Sequence, residues 1–146
     1  MFTDYNTQIS LKIDWSDLDV FGHVNNVAFF KYIQSARVNY CESIGLTSTN
    51  KNNKFSFIVA STNCTFKIPL DYPGEINVFS KIDWIKNSSF QLSHIIVNLN
   101  NDVVVAESTD VIVVFDYEKK SKTSITDELK AKMKIKPNKK IMVNKQ

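Results

Sequence analysis

Cysteine and histidine are scarce. Cys41, Cys64, His23 and His94 are the only ones among 146 residues. No Cys-x-x-Cys pair and no ligand-spaced carboxylate–histidine cluster joins them, which excludes the common zinc and redox motifs. Neither a metal nor another cofactor is expected. Long apolar runs are also missing: none approaches the ~20 residues of a membrane span. The opening MFTDYNTQISLK is polar where a secretory leader would be apolar. These absences predict a cytoplasmic protein with reduced thiols and no membrane partner. Charge of one sign is lacking too, with 18 Lys and Arg against 15 Asp and Glu and a net charge of +3. The excess lies largely between Lys119 and Lys145, as expected of a solvated tail, and no nucleic-acid partner is implied. No internal repeat is present.

What the chain does have is apolar bulk, 43% hydrophobic residues with ten Phe. Its length suits one domain with a substantial core. Ile9, Leu11, Ile13 and Trp15 alternate with Ser10, Lys12, Asp14 and Ser16, the pattern of a half-buried strand. From Ala28 the period changes. Phe29, Ile33, Ala36, Tyr40 and Ile44 recur at helical spacing, Asn25 and Asn26 suit the cap, and Gly45 suits the stop. After a polar loop from Leu46 to Lys54, the chain reads as β from Phe55 to Asp116. About four antiparallel strands are expected there, broken at Pro69–Gly74, Lys86–Ser89 and Asn100–Asp102. The fold class is therefore α+β, a sheet of about five strands covering one long helix. The domain is expected to end at residue 117. Residues 118–146 form a basic tail, with a short helix between Thr123 and Met133 and loose packing beyond Pro137.

Between the first strand and the helix stands DWSDLDVFGHVNN, residues 14–26, with three carboxylates, a histidine and two asparagines. A carboxylate just ahead of a helix is placed to act as base or nucleophile at a carbonyl carbon. The free N–H groups and positive end of the helix suit a developing oxyanion. Asp14 reads as a surface charge and Asp17 as a cap or turn residue. His94, inside a strand, reads as structural. Cys41 falls mid-helix, about four turns from the motif, and reads as packing rather than a thiol nucleophile.

The string DLDVFGHVNNVAFFKYIQSARVNY resembles the signature of the hotdog-fold acyl-CoA thioesterases, the 4-hydroxybenzoyl-CoA thioesterase-like family. Plant acyl-carrier-protein thioesterases carry a similar string. The stretch VASTNCTFKIPLDYPGEINVFSKIDWI is similar to that family's second and third strands, and the likeness runs from Gln8 to Tyr117. It implies a hotdog fold and hydrolysis of an acyl-CoA, with coenzyme A present only as part of the substrate. Matching the motif residue by residue makes Asp19 the base or nucleophile. The backbone at Asn26 and Val27 then polarises the thioester carbonyl, and Gly22 lets the chain pass close to the substrate. His23 orients Asp19, contacts the substrate or holds the loop. Lys86, Ser88 and Ser89 match the segment that meets the nucleotide of coenzyme A, with a polar hairpin turn as the structural alternative.

The resemblance further implies a site completed across a homodimer, or a tetramer. One position departs from the plant motif, Phe21 in place of an asparagine, and Phe21 is a candidate for the acyl pocket beside Phe29, Phe30 and Tyr32. The Asp-x-Asn-x-x-His pattern of the hotdog hydratases is not met. Two alternatives stand beside acyl-CoA hydrolysis: hydrolysis of an acyl-carrier-protein thioester, and binding of an acyl thioester without turnover. A purely structural oligomer would leave the crowded motif unexplained.

Overall fold

The computed structural model describes residues 2, 4–47 and 55–135. Its strands are β1 (Thr7–Lys12), β2 (Phe55–Phe66), β3 (Glu75–Ile85), β4 (Ser89–Asn98), β5 (Val103–Asp116) and the two-residue β6 (Ser121–Lys122). Its helices are α1 (Asn26–Ser43) and α2 (Asp127–Met133). All strand pairs are antiparallel, in the order β1-β3-β4-β5-β2, with β6 added along the end of β5. Five long strands were expected and are present; the sixth is too short to leave an alternating pattern. The first strand is shorter than its alternation suggests. It stops at Lys12, and Trp15–Asp17 instead forms a 3-10 turn that leaves Trp15 72% exposed.

Helix α1 lies against the sheet on the stripe its period dictates. Ala28, Phe29, Tyr32, Ile33, Ala36, Tyr40 and Cys41 are buried. Its N-terminal half packs with Ile13, Leu70, Ile76, Val78 and Ile96. Its C-terminal half packs with Phe90, Leu92, Ile112 and Val114. Asn25 caps the start by accepting from the Ala28 N–H at 2.8 Å. Gly45, at φ +80°, closes the other end: its N–H donates to Glu42 C=O and the Leu46 N–H to Cys41 C=O. This six-to-one and five-to-two pair is a Schellman cap, and Leu46 folds back into the same core as Cys41.

A buried polar cluster ties the middle of α1 to four strands. Arg37 donates to Asp110 at 3.0 Å, His94 Nε2 lies 2.8 Å from the same oxygen, and Thr62 donates to the other oxygen at 2.6 Å. His94 Nδ1 meets Ser80 Oγ at 2.7 Å. Burial alone would push the Asp110 carboxyl up; the hydrogen bonds from His94 and Thr62 and the Arg37 charge outweigh it and hold the group low.

The chain set aside as a tail carries part of the core. Ile125 and Met133 are buried beside Tyr40, Leu46 and Phe90. Asn6 donates to the carbonyls of Met133 and Ile135, and its own oxygen accepts from the Ile82 N–H. The packed body thus runs on to Met133. Residue 117 is no break, because α2 fills the end of the core where α1 stops. The expectations for residues 48–54 and beyond residue 135 fall outside the described residues. Truncating Met133 to Ala is expected to cost about 2–5 kcal/mol in denaturant unfolding. An unchanged midpoint would mean that α2 is a bystander.

Candidate active site

The motif forms a tight loop between the 3-10 turn and α1. Asp14 caps the turn, accepting from the Ser16 N–H and hydroxyl. Asp17 closes it, and its side chain is 6% exposed. One Asp17 oxygen accepts from Lys31 at 2.6 Å. The other accepts from the Tyr32 hydroxyl at 2.7 Å and the Asp14 N–H at 3.2 Å. The Asp17 carbonyl accepts from the Asn25 N–H at 2.9 Å. One residue thereby joins the loop's entry, its exit and the second turn of α1. Burial would raise its carboxyl, but the hydrogen bonds from Lys31, Tyr32 and Asp14 win and lower it.

Asp19 stands on the exposed arm of the loop. Its Oδ1 accepts from the Phe21 N–H at 2.9 Å and the His23 N–H at 3.1 Å, while Oδ2 makes no hydrogen bond among the described residues. Gly22 has φ +83°, a left-handed value that glycine adopts without strain, and a Cβ there would meet nothing within 4 Å. The turn's conformation, rather than crowding inside the protein, explains this glycine.

Asp19, His23 and Asn26 meet at one cavity of about 270 Å³, completed by Phe29, Phe66, Lys67, Ile68 and Pro69. Asn26 is the first residue of α1, and the N–H groups at such an end have no carbonyl one turn below them. Phe29 and Phe66 pack edge to face, 5.2 Å between centroids, and make the wall apolar. Phe30 also packs edge to face with Phe66, 6.2 Å between centroids, whereas the buried Tyr32 donates its hydroxyl to Asp17. Phe21 and Val27 do not line the cavity; they are 82% and 78% exposed beside it.

Lys86, Ser88 and Ser89 are not brought to this cavity. The motif end of the sheet is where Lys12 pairs with Glu75, the first residue of β3. Lys86 follows the other end of that 11-residue strand, roughly 35 Å away at ~3.4 Å per residue. Its ammonium lies over the Trp84 ring, and backbone bonds from Val114 to Ser88 and from Ile125 to Asn87 hold the hairpin.

Sequence reasoning missed Phe66, Lys67 and Ile68, because nothing in a strand's alternation announces that its end faces a loop 40 residues earlier. It also missed Asp71, whose Oδ1 lies 2.7 Å from His23 Nδ1. Two other nucleophile arrangements fail on burial. Ser80, His94 and Asp110 form a Ser–His–Asp chain, yet Ser80 is 1% exposed, out of reach of a substrate. Cys41 is fully buried and burial pushes its thiol up; the half-buried Cys64 thiol is likewise pushed up to about 11. Among the described residues no cluster of three or more His, Cys, Asp or Glu is placed to hold a metal, and no helix is long and apolar enough to cross a membrane.

The family model of the thioesterase-like superfamily matches residues 13–133, from the motif loop through both helices to Met133, with only β1 ahead of the matched span. The chain belongs to the thioesterase-like superfamily. It is similar to an uncharacterized protein, YsmA, of Bacillus subtilis (27% identity; 88% of each chain). It is also similar to the long-chain acyl-CoA thioesterase FadM of Escherichia coli (23% identity; 86% of this chain and 96% of that one). The solved structure of the gentisyl-coenzyme A thioesterase BH1999 superposes with a TM-score of 0.76 at 20% identity, covering 87% of this chain and 99% of that one. The hotdog architecture is therefore the one expected from the motif, and this thioesterase-like chain is a thioester hydrolase.

Acid stability reports on the lock in the motif loop. Asp17 has a folded pKa below its ordinary 3.8, so its stabilisation is present above that value and is lost as pH falls through the lowered one. Asp17→Asn is expected to lower the unfolding midpoint at neutral pH and to flatten its fall below about pH 4. An acid limb identical to wild type would contradict the assignment.

Proposed function

We propose that the protein hydrolyses the thioester of an acyl-coenzyme A to a carboxylic acid and free coenzyme A. The observation that carries this reading is the meeting of Asp19, His23 and the start of α1 at one cavity. Asp19 Oδ2, free of the loop's own bonds, either attacks the carbonyl carbon or takes a proton from the attacking water. The N–H groups of Asn26 and Val27, at the positive end of α1, receive the carbonyl oxygen as it gains charge. Phe29 and Phe66 offer the acyl group an apolar wall; Phe21 and Gly22 border its path, and His23 stands at the reacting end. Likeness to proteins named as a long-chain acyl-CoA thioesterase and a gentisyl-coenzyme A thioesterase supports coenzyme A, over a carrier protein, as the thiol. No cofactor beyond the substrate's own coenzyme A enters the scheme, and the protein works in the cytoplasm, off the membrane.

A second copy of the chain completes the site. Strand β2 is a 12-residue edge, with Ile58 40% and Val59 38% exposed along it and Phe66 at its cavity end. An edge so long and apolar is a template for pairing. Antiparallel pairing of two such edges about a twofold lays one protomer's β2 against the other's cavity, covers Phe21 and Val27, and forms at least a dimer. Lys86, Ser88 and Ser89 then meet the phosphates of coenzyme A from a neighbouring protomer.

Thiol release from short, long and aromatic acyl-CoAs tests the reading. Wild type is expected to turn over at least one of them, and Asp19→Asn to fall on the order of a hundredfold with that substrate. Binding without release by wild type would overturn hydrolysis, and unchanged turnover in the variant would overturn the role of Asp19. Ile58→Asp places a charge on the exposed edge. It is expected to yield a monomer by sedimentation with greatly reduced turnover, and a fully active monomer would contradict the shared site.

A further inference from the structure

The turn from Pro69 to Gly74 sets a second carboxylate behind the cavity. His23 lines the cavity; Asp71 does not, and reaches it only through the imidazole, Oδ1 to Nδ1 at 2.7 Å. Both residues are partly solvated, with side chains 48% and 73% exposed, and an ion pair of two free side chains there would be weak. These two are not free at the backbone. His23 and Asp71 form an antiparallel bridge, the Val24 N–H donates to Leu70 C=O at 2.8 Å, and the Asp19 N–H donates to His23 C=O at 2.7 Å. The bridge and the Val24–Leu70 bond stitch the loop to the turn, and the Asp19–His23 bond closes the loop on itself.

A carboxylate accepts hydrogen bonds, so the proton between the two groups belongs to Nδ1. The neutral ring then has a bare Nε2, which makes no hydrogen bond among the described residues. His94 has the opposite arrangement. Its Nε2 faces the Asp110 carboxylate and its Nδ1 faces the Ser80 hydroxyl, which makes it the Nε2–H form.

We propose that Asp71 is a positioning residue that holds His23 in the Nδ1–H tautomer, leaving Nε2 as the proton acceptor of the cavity. The chemical consequence rests on the thioesterase reading and gives Asp19 the nucleophile's part. An Asp19 oxygen bonds to the acyl carbon and the carbon–sulfur bond breaks, leaving an anhydride and a thiolate. Water attacks the anhydride's acyl carbon, its proton passes to His23 Nε2, and the Asp19 carboxylate departs as the product acid forms. The Nε2 proton then neutralises the thiolate, so that thioester and water become acid and thiol. Oriented this way, the imidazole has the role that a carboxylate gives it in other His–carboxylate pairs.

The test is imidazole ¹⁵N NMR on the full-length protein, with His23→Gln assigning the two rings, alongside thiol-release kinetics. Wild type is expected to show His23 as Nδ1–H and His94 as Nε2–H. Asp71→Asn is expected to shift His23 away from the Nδ1–H form, leave His94 unchanged, and lower kcat about tenfold or more with little change in KM. Asp71→Glu, which restores the acceptor, is expected to recover both. A wild-type His23 in the Nε2–H form, or a tautomer indifferent to Asp71→Asn, would overturn the proposal. If wild type releases no thiol from any acyl-CoA, the thioesterase reading fails, and the tautomer still decides the role of Asp71.

Discussion

One buried carboxylate organises the site. Asp17 is nearly out of solvent, and each of its bonds fixes a different piece of chain: Tyr32 and Lys31 on α1, the Asp14 N–H at the entry to the 3-10 turn, and Asn25 through its carbonyl. A buried charge left short of donors is costly, so these contacts form together or not at all. Their joint effect is geometric. The loop leaves β1, turns at once, and returns to cap the helix it precedes, leaving Asp19 and His23 on the outward arm beside the first N–H groups of α1. In the proposed reaction the chemistry falls to exposed residues, and their placement to one buried residue.

The same economy extends along α1. Its start is held by Asn25 and Asp17, its middle by Arg37 on Asp110, and its end by the Gly45–Leu46 cap against α2. Fixed at three heights, the helix cannot slide or roll, and its N-terminal groups keep one position relative to the cavity wall of Phe29 and Phe66. Preorganisation of this kind is what makes backbone donors effective at a developing charge. The two buried carboxylates that receive donors from α1, Asp17 and Asp110, also share an electrostatic design. Each is lowered by donors that overcome its burial, and each therefore holds the helix most firmly above the ordinary carboxylate range.

Much of the architecture was legible in the residues. The helical period of Phe29, Ile33, Ala36, Tyr40 and Ile44 identified the buried stripe, and Asn25 and Gly45 marked its ends within a residue. Alternation located β1 and β3, where Ile9, Leu11, Ile76 and Val78 turn one face of each strand to the core under α1. The misreadings have physical causes. Trp15 continues the alternation of β1 but belongs to a turn whose capping box overrides it. The last turns of the fold looked like a tail because Lys130, Lys132 and Lys134 dominate their composition, while Ile125, Leu129 and Met133 are the apolar residues that reach the core. At the site, residues contiguous in sequence were found and residues brought by the fold were not. Asp19, His23 and Asn26 share a motif, whereas Phe66, Lys67 and Asp71 arrive from another strand and turn. Lys86, Ser88 and Ser89 lie a strand's length from the cavity, a distance no local pattern encodes.

The account stands on the claim that the Asp17 lock places the reactive groups, and Tyr32→Phe tests it most directly, since it removes one hydroxyl donor and nothing from the cavity wall. The measurement is kcat/KM for thiol release, compared with the unfolding midpoint of the same variant. The account predicts a fall of about tenfold or more in kcat/KM, with a loss of stability no larger than the about 1–3 kcal/mol of one unmet hydrogen bond. Wild-type activity in a variant that has lost this contact would contradict it.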